Sequence, residues 1–344
     1  MKDQKYSVGK SDMSILSWLK NHRMRILKIT GISLGVLLIG GLVAVNYMAM
    51  RIASPSPSVI PSGAAVVLEA PGNYGLRVKS LACLDGKVPT LVVEPDATQP
   101  ISLKGKLVRT QLIERGANLT SYATIRGTVV ILHGRTGRKE NGIGIAERFC
   151  AVGLRCILID LPSHGESPVE NVKFGSTEWE QDLPFEVLTE CAEKFQFSTE
   201  NVALWGMSMG GSFATAAAAD QQHGEVWDSI TIVCSLDALT PVIEKQCEFS
   251  WLTKLTSSLC QYHGGADFAG VTPAKWATGV SAPVLVVHGD EDELIPEARG
   301  MLLHDSFAST DKKWLTVKGG NHDNILITPM PLYAEMAHWI LERF

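Results

Sequence analysis

The chain is short of charge and of every signature that would tie it to a metal, a nucleotide or a nucleic acid. Only 19% of its 344 residues are Asp, Glu, Lys or Arg, against 45% hydrophobic, a composition that buries a core and does not remain disordered. Its seven cysteines (Cys83, Cys150, Cys156, Cys191, Cys234, Cys247, Cys260) include no Cys-x-x-Cys pair, which removes the common zinc and dithiol patterns. No glycine-rich phosphate loop and no internal repeat is found, and the chemistry inferred below requires no metal or organic cofactor. The net charge of −5 conceals an asymmetry: residues 1–28 carry seven Lys/Arg against Asp3 and Asp12, so the remainder stands at −10. A body this acidic has no basic footprint, and nucleic acid is excluded as a partner.

What is present begins with a membrane signal. Ile29–Met50 is 22 residues without a charge. At 1.5 Å per residue a helix of that length covers about 33 Å, enough for a hydrocarbon core of about 30 Å. The basic tail 1–28 precedes it, and Arg51 stands alone after it until Arg77. The positive-inside rule then keeps the N-terminus cytoplasmic and sends the rest of a single-pass protein outward. A cleaved signal peptide has a shorter apolar run and a small-x-small exit, and no clean exit follows here. Residues 51–63 hold Ser54-Pro55-Ser56-Pro57-Ser58 and Pro61-Ser62-Gly63, which reads as an extended, semi-rigid spacer. In an oxidising compartment Cys247 and Cys260 could pair; the alternative is that the cysteines are small buried hydrophobes, as Cys234 in an apolar strand suggests. Asn118-Leu119-Thr120 is a glycosylation acceptor only on a eukaryotic secretory route.

Beyond the spacer, residues 64–344 read as one domain. The runs Ala64–Ala70, Gly75–Leu84, Val88–Glu94 and Ile101–Glu114 read as β, a start built of hairpins. The rhythm then alternates. Strands are expected at Thr128–Leu132, Arg155–Asp160, Asn201–Trp205, Ser229–Ser235, Pro283–His288 and Lys313–Val317. Helices are expected around 140–152, 178–196, 208–222, 296–308 and 329–343. Apolar strands alternating with helices imply a mostly parallel, eight-stranded α/β sheet with helices on both faces. Residues 237–281 break the alternation. They carry Phe249, Trp251, Tyr262, Phe268 and Trp276, and read as a small cap insertion.

The chemistry centres on Gly206-Met207-Ser208-Met209-Gly210-Gly211. An apolar strand ends at its first glycine and an Ala-rich helix follows, the strand–turn–helix elbow that presents a nucleophilic serine. Ser208 would then sit at a helix N-terminus, where unpaired N–H groups and the dipole favour developing negative charge. A serine hydroxyl needs a base, and His322 in Gly319-Gly320-Asn321-His322-Asp323 follows the last strand. The imidazole needs a carboxylate to fix its tautomer; Asp290, Glu291, Asp292 and Glu293 all follow the strand at 283–288, and Asp237 is a further candidate. For the oxyanion, one donor is the backbone N–H of Met209, and the second is that of Arg135 or Thr136 in His133-Gly134-Arg135-Thr136-Gly137. Arg135, Arg138 and Lys139 read as a solvated basic loop, or else as an anion-binding cluster.

Together, His133-Gly134, Asp160-Leu161-Pro162-Ser163-His164-Gly165-Glu166-Ser167, the elbow, Gly289-x-x-Asp292-x-x-Ile295-Pro296 and Gly320-Asn321-His322 resemble the alpha/beta-hydrolase superfamily. Within it they are most similar to serine aminopeptidase-like and monoacylglycerol-lipase-like esterases, some with an N-terminal membrane anchor. The resemblance covers about residues 100–344 and implies the hydrolase fold, a Ser208–His322–Asp292 triad, and a structural role for His164. Pro162 departs from the pattern, where arginine is frequent. The reaction implied is cleavage of a carboxylic ester through an acyl-enzyme, on a small-molecule ester or acyl substrate. A peptidase or acyltransferase on the same triad, or a non-catalytic membrane-tethered binding domain, are the alternatives, because the superfamily's fold does not fix the substrate. A histidine base further implies activity that falls below about pH 6.5.

Overall fold

The computed structural model describes residues 11–56, 58–119, 121–122, 124–327 and 331–344. Pro57 of the expected spacer, Thr120 of the glycosylation motif, and Lys2, Lys5, Lys10 and Asp3 of the basic tail lie outside the described residues. Two units divide the chain, Met1–Met48 and Ala49–Phe344.

The first unit is helical. Helix α1 (Ser11–Ala53) runs on into the first residues of the second unit, and its part from Ser17 is long and apolar enough to cross a membrane. Leu34, Leu37, Leu38 and Ile39 are exposed, Leu37 by 72%, an apolar surface that suits a lipid surround.

The second unit orders its elements as α2 (Ser62–Glu69), β1 (Leu76–Cys83), β2 (Val88–Pro95), α3 (Leu103–Glu114), β3 (Gly127–Leu132), α4 (Ile143–Cys150) and β4 (Leu154–Ile159). There follow α5 (Glu178–Phe195), β5 (Val202–Met207), α6 (Met209–Ala218) and β6 (Ser229–Val233). The insertion contributes α7 (Leu239–Cys247), α8 (Ser250–Tyr262) and α9 (Pro273–Ala277). The chain closes with β7 (Val284–Gly289), α10 (Glu297–Ser306), β8 (Lys312–Val317) and α11 (Leu332–Leu341). The eight strands form one sheet in the order β1-β2-β4-β3-β5-β6-β7-β8. Every pair from β4 to β8 is parallel, while β1–β2 and β2–β4 are antiparallel. Every residue of β3, β4, β6 and β7 is buried, as parallel strands covered on both faces must be. This is the expected α/β-hydrolase architecture.

Three expectations need correction. Ala64–Ala70 is not a strand but lies in α2, where Ala64 and Val67 are buried and Val66 is 54% exposed. That three-residue spacing is helical, and a short apolar run cannot by itself tell strand from helix. Ile101–Glu114 is likewise α3, with Ser102 as its N-cap: its Oγ accepts from Gly105 N–H at 3.1 Å. Val108 and Leu112 turn inward, while Leu103 and Leu107 face water. A single hairpin, β1–β2, therefore remains of the expected series. Third, the first residues of the stretch read as a spacer are packed: Ile52, Ala53 and Pro55 are buried within the second unit, whereas Ser56, Val59 and Ile60 are exposed.

The insertion consists of three helices, α7, α8 and α9. Of its aromatics Phe268 is buried, whereas Phe249, Trp251 and Tyr262 are exposed. All seven cysteines are buried free thiols. Cys247 Sγ faces Thr256 Oγ1 at 3.9 Å and makes no bond to Cys260.

Candidate active site

The site is built at the ends of β5, β7 and β8, where parallel strands deliver their following loops to one edge of the sheet. Ser208 lies between β5 and α6 with φ 54° and ψ −118°. The glycines of the elbow are sterically required. A Cβ on Gly206 would stand 2.3 Å from Gly210 O, and one on Gly210 would stand 2.1 Å from Leu132 O. The turn thus presses directly against β3. Ser208 N–H donates to Val233 O, and Ser235 Oγ donates to Ser208 O at 2.8 Å. These two bonds to the end of β6 hold the serine backbone in place.

His322 follows β8 on a loop whose path depends on close glycine contact: a Cβ on Gly289 would lie 2.1 Å from Gly320 O. Its Nε2 is 3.0 Å from Ser208 Oγ and its Nδ1 is 2.8 Å from Asp292 Oδ2. Nδ1–H donating to the carboxylate leaves Nε2 to accept the serine proton, the tautomer a general base needs. Asp292 Oδ1 accepts from Ile295 N–H at 2.8 Å. Burial pushes this carboxyl upward, but the bonds from His322 and Ile295 outweigh it and hold it below the usual carboxylate range. Of the other acids, Asp290 pairs with Lys318 at 3.0 Å and accepts from Gly319 N–H. Asp237 pairs with Arg299 at 3.0 Å. Neither carboxylate is bonded to His322.

On the other side of Ser208 runs the loop after β3. The space for a Cβ on Gly134 lies 3.4 Å from Ser208 Cβ. Met209 is the first residue of α6, so its N–H has no acceptor within the helix. The backbone hydrogen bonds of the described residues also leave the Arg135 N–H unused. His133 braces this loop. Its Nε2 accepts from Leu161 N–H at 3.1 Å while Nδ1 lies 2.8 Å from Gly134 O. The ring is therefore neutral with its proton on Nδ1, and burial lowers it to about 4. His164, buried beside it, is lowered to about 3 by burial and by His133, and its Nδ1 lies 2.8 Å from Pro162 O.

The loop's basic residues do not form the solvated cluster expected. Arg138 and Lys139 are 8% and 5% exposed. Arg138 pairs with Glu140, and Lys139 Nζ reaches Asp160 Oδ2 at 2.9 Å and Glu166 Oε2 at 2.7 Å. Buried cations demand such partners, and the acids Glu140, Asp160 and Glu166 supply them. Arg135 alone of the three is exposed. Reasoning from the sequence passed over His288 and Ser235. His288 is fully buried, stacks on Trp314, donates to Ile295 O at 2.8 Å, and sits 3.7 Å from Asp292 Oδ2. A histidine closing an otherwise apolar strand was the available signal.

Cys234 Sγ, an Asp292 oxygen and a His322 nitrogen lie within 4.8 Å of one another, a donor set that could in principle hold a metal. Asp292 and His322 are already spent on each other and on Ser208, which suits a proton relay better than a ligand set.

Fold and geometry together define an alpha/beta hydrolase of the esterase and lipase type. The sequence profile of the prolyl oligopeptidase family matches residues 170–344, half of the chain and the half containing Ser208, Asp292 and His322, and the chain belongs to that family. It is 28% identical over 231 residues to a monoacylglycerol lipase of Mycolicibacterium smegmatis, covering 58% of this chain and 81% of that one. Among solved structures it resembles an esterase of Pyrococcus furiosus, with a TM-score of 0.58 and 12% identity over 84% of this chain and 98% of that one. It also resembles 2,6-dihydroxy-pseudo-oxynicotine hydrolase, with a TM-score of 0.55 and 16% identity over 77% of this chain and 67% of that one.

Proposed function

We propose that the chain is a membrane-anchored serine hydrolase that cleaves a carboxylic ester, with Ser208 as nucleophile, His322 as base and Asp292 as the acid that orients it. The observation carrying this reading is the continuous hydrogen-bond chain Ser208 Oγ–His322 Nε2, His322 Nδ1–Asp292 Oδ2, at 3.0 and 2.8 Å, on a strand–helix elbow.

Ser208 Oγ attacks the ester carbonyl carbon as His322 takes its proton. The carbonyl oxygen becomes an oxyanion and receives the N–H groups of Met209 and Arg135, each such donor contributing about 3–4 kcal/mol. Collapse expels the alkoxide, which takes the proton from His322 and leaves an acyl-serine. Water enters, His322 removes its proton, and a second collapse returns Ser208 and releases the acid. Asp292 stays ionised throughout and stabilises the imidazolium.

The ester preference is supported by the likeness to a monoacylglycerol lipase. Membership of the prolyl oligopeptidase family favours a second reading, a peptidase on the same residues. The membrane attachment is supported by the apolar helix from Ser17 to Ala53; the basic residues at its N-terminal end favour a cytoplasmic N-terminus and a hydrolase unit on the outer side.

The test uses the full chain in detergent micelles. A fluorophosphonate probe should label the wild type and not Ser208→Ala, and p-nitrophenyl butyrate turnover should vanish with the label. A well-folded wild type that neither labels nor turns over would make a non-catalytic binding domain the better description. Faster cleavage of an aminoacyl p-nitroanilide than of any p-nitrophenyl ester would favour the peptidase. Extraction with alkaline carbonate should leave the protein in the membrane pellet; release into the supernatant would refute the anchor.

A further inference from the structure

The last residues of α1 and those just after it do not behave as a tether. Within the second unit, Ala49, Ile52 and Ala53 are buried at 0%, 4% and 0% exposure. Their backbone is bonded to loops on the catalytic edge of the sheet. Arg135 Nη2 donates to Arg51 O at 2.8 Å, taking up one of the carbonyls that a helix C-terminus leaves without an acceptor role. Val172 N–H, in the loop after β4, donates to Ala53 O at 3.0 Å. Ser163 Oγ meets Ser54 Oγ at 3.2 Å. Ala53 also lies so close to the cap that a Cβ on Gly265 would stand 2.6 Å from its own Cβ. Further on, Arg138 Nη1 donates to Ser58 O at 3.0 Å.

Two of these bonds involve the loop that runs beside Ser208. Arg135 and Arg138 lie three residues apart on it, and each holds a different carbonyl of the strap, Arg51 O and Ser58 O. From within, the same loop is fixed by His133 and by the pairing of Lys139 with Asp160. On the outside Arg135 bonds the strap through Arg51 O. A solvated spacer would leave all of these groups to water; here they are spent on the loop whose N–H is the candidate second oxyanion donor.

We infer that the strap comprising Ala49–Ser54 and Ser58 is a positioning element of the oxyanion loop, so that the segment leaving the apolar helix is part of the hydrolytic machinery. The inference rests on the serine-hydrolase reading and on Arg135 N–H as a donor. The strap acts through the loop and touches no reacting atom. Its contribution belongs to the transition state, because the oxyanion forms there and not in the bound ester. Displacing a preorganised group by a fraction of an ångström suffices to slow a reaction substantially.

The experiment uses the full chain in detergent micelles with p-nitrophenyl butyrate. A Gly-Gly-Ser insertion after Ser54 separates the two bonding points, and the same insertion after Val59, a residue 87% exposed, lies beyond both. Arg135→Ala removes the guanidinium and keeps the backbone N–H. We expect the insertion after Ser54 and Arg135→Ala each to lower kcat about 10-fold with KM changed less than twofold. Fluorophosphonate labelling should slow in parallel and the melting temperature should hold. The insertion after Val59 should keep the wild-type kcat. Wild-type kcat in the Ser54 insertion, or equal loss in both insertions, would overturn the positioning role. Turnover that survives Ser208→Ala would instead overturn the hydrolase reading beneath it.

Discussion

Asp292 shows how one carboxylate is kept ionised inside a protein. It is 5% exposed, which alone would favour its neutral form, yet it accepts from His322 and Ile295 and its acidity is strengthened. Replacing it by Asn keeps the shape but lets His322 adopt the wrong tautomer. Asp292→Asn should lower kcat by about 10⁴-fold while the protein stays folded, and steady-state kinetics with near-ultraviolet circular dichroism would check both halves. Gly210 makes a contrasting prediction. With the site for a Cβ 2.1 Å from Leu132 O and 2.7 Å from His133 O, Gly210→Ala must push α6 away from β3. A stability loss of about 3 kcal/mol in chemical denaturation is expected. At this scale the candidate site was legible: Ser208, His322 and Asp292 each follow a strand and each carries a local pattern. What was not legible is which buried groups brace them. His288 and Ser235 act through three-dimensional neighbours that no spacing announces.

Among the elements, the parallel strands were the easiest to read, because burial on both faces writes an unbroken apolar run into β3, β4, β6 and β7. The errors fell where only one side of an element is buried and the run is short. In α3 the inward residues Val108 and Leu112 are four apart and flanked by exposed Leu107 and Leu103, so the surplus of apolar residues masked the helical period. The cap by Ser102 was the better signal. Ser102→Ala should cost about 1 kcal/mol of stability, read as a lower denaturation midpoint with unchanged slope. The strap at the end of α1 escaped for another reason: Pro and Ser are common in spacers, and nothing local reveals that Arg135 and Arg138 wait for its carbonyls.

For the molecule as a whole, buried titratable groups set how stability responds to acid. His133 and His164 are lowered to about 4 and about 3, chiefly by burial. Unfolded histidine titrates near 6.5, so below that pH the unfolded chain binds more protons and stability falls as pH drops toward 4. Glu180 works the other way. Burial raises it to about 7 despite bonds from the Lys173 and Gly175 N–H groups. Its stabilising contribution is full below the unfolded carboxyl value of about 4.3 and is lost as pH rises through 7. Two histidines outweigh one glutamate, so the melting temperature should decrease from pH 6.5 to pH 5. Glu180→Gln removes the opposing group and should steepen that decline by up to one proton, about 1.4 kcal/mol per pH unit. Thermal melts of the two proteins across this range would show it; an unchanged slope would mean that Glu180 is ionised in the folded state.

The backbone at Ser208 has a φ of 54° and a ψ of −118°, a conformation that side chains with a Cβ resist and glycine accepts. The proposed nucleophile is therefore stored as a spring held shut by its neighbours, the contacts of Gly206 and Gly210 and the bonds to Val233 and Ser235. Relaxing it should cost all activity and return stability: Ser208→Gly should be inert and yet more stable than the wild type by about 1 kcal/mol, read as a higher melting temperature. Hydrolysis and durability thus compete for the same residue, and a selection for heat resistance alone would be expected to discard the serine first.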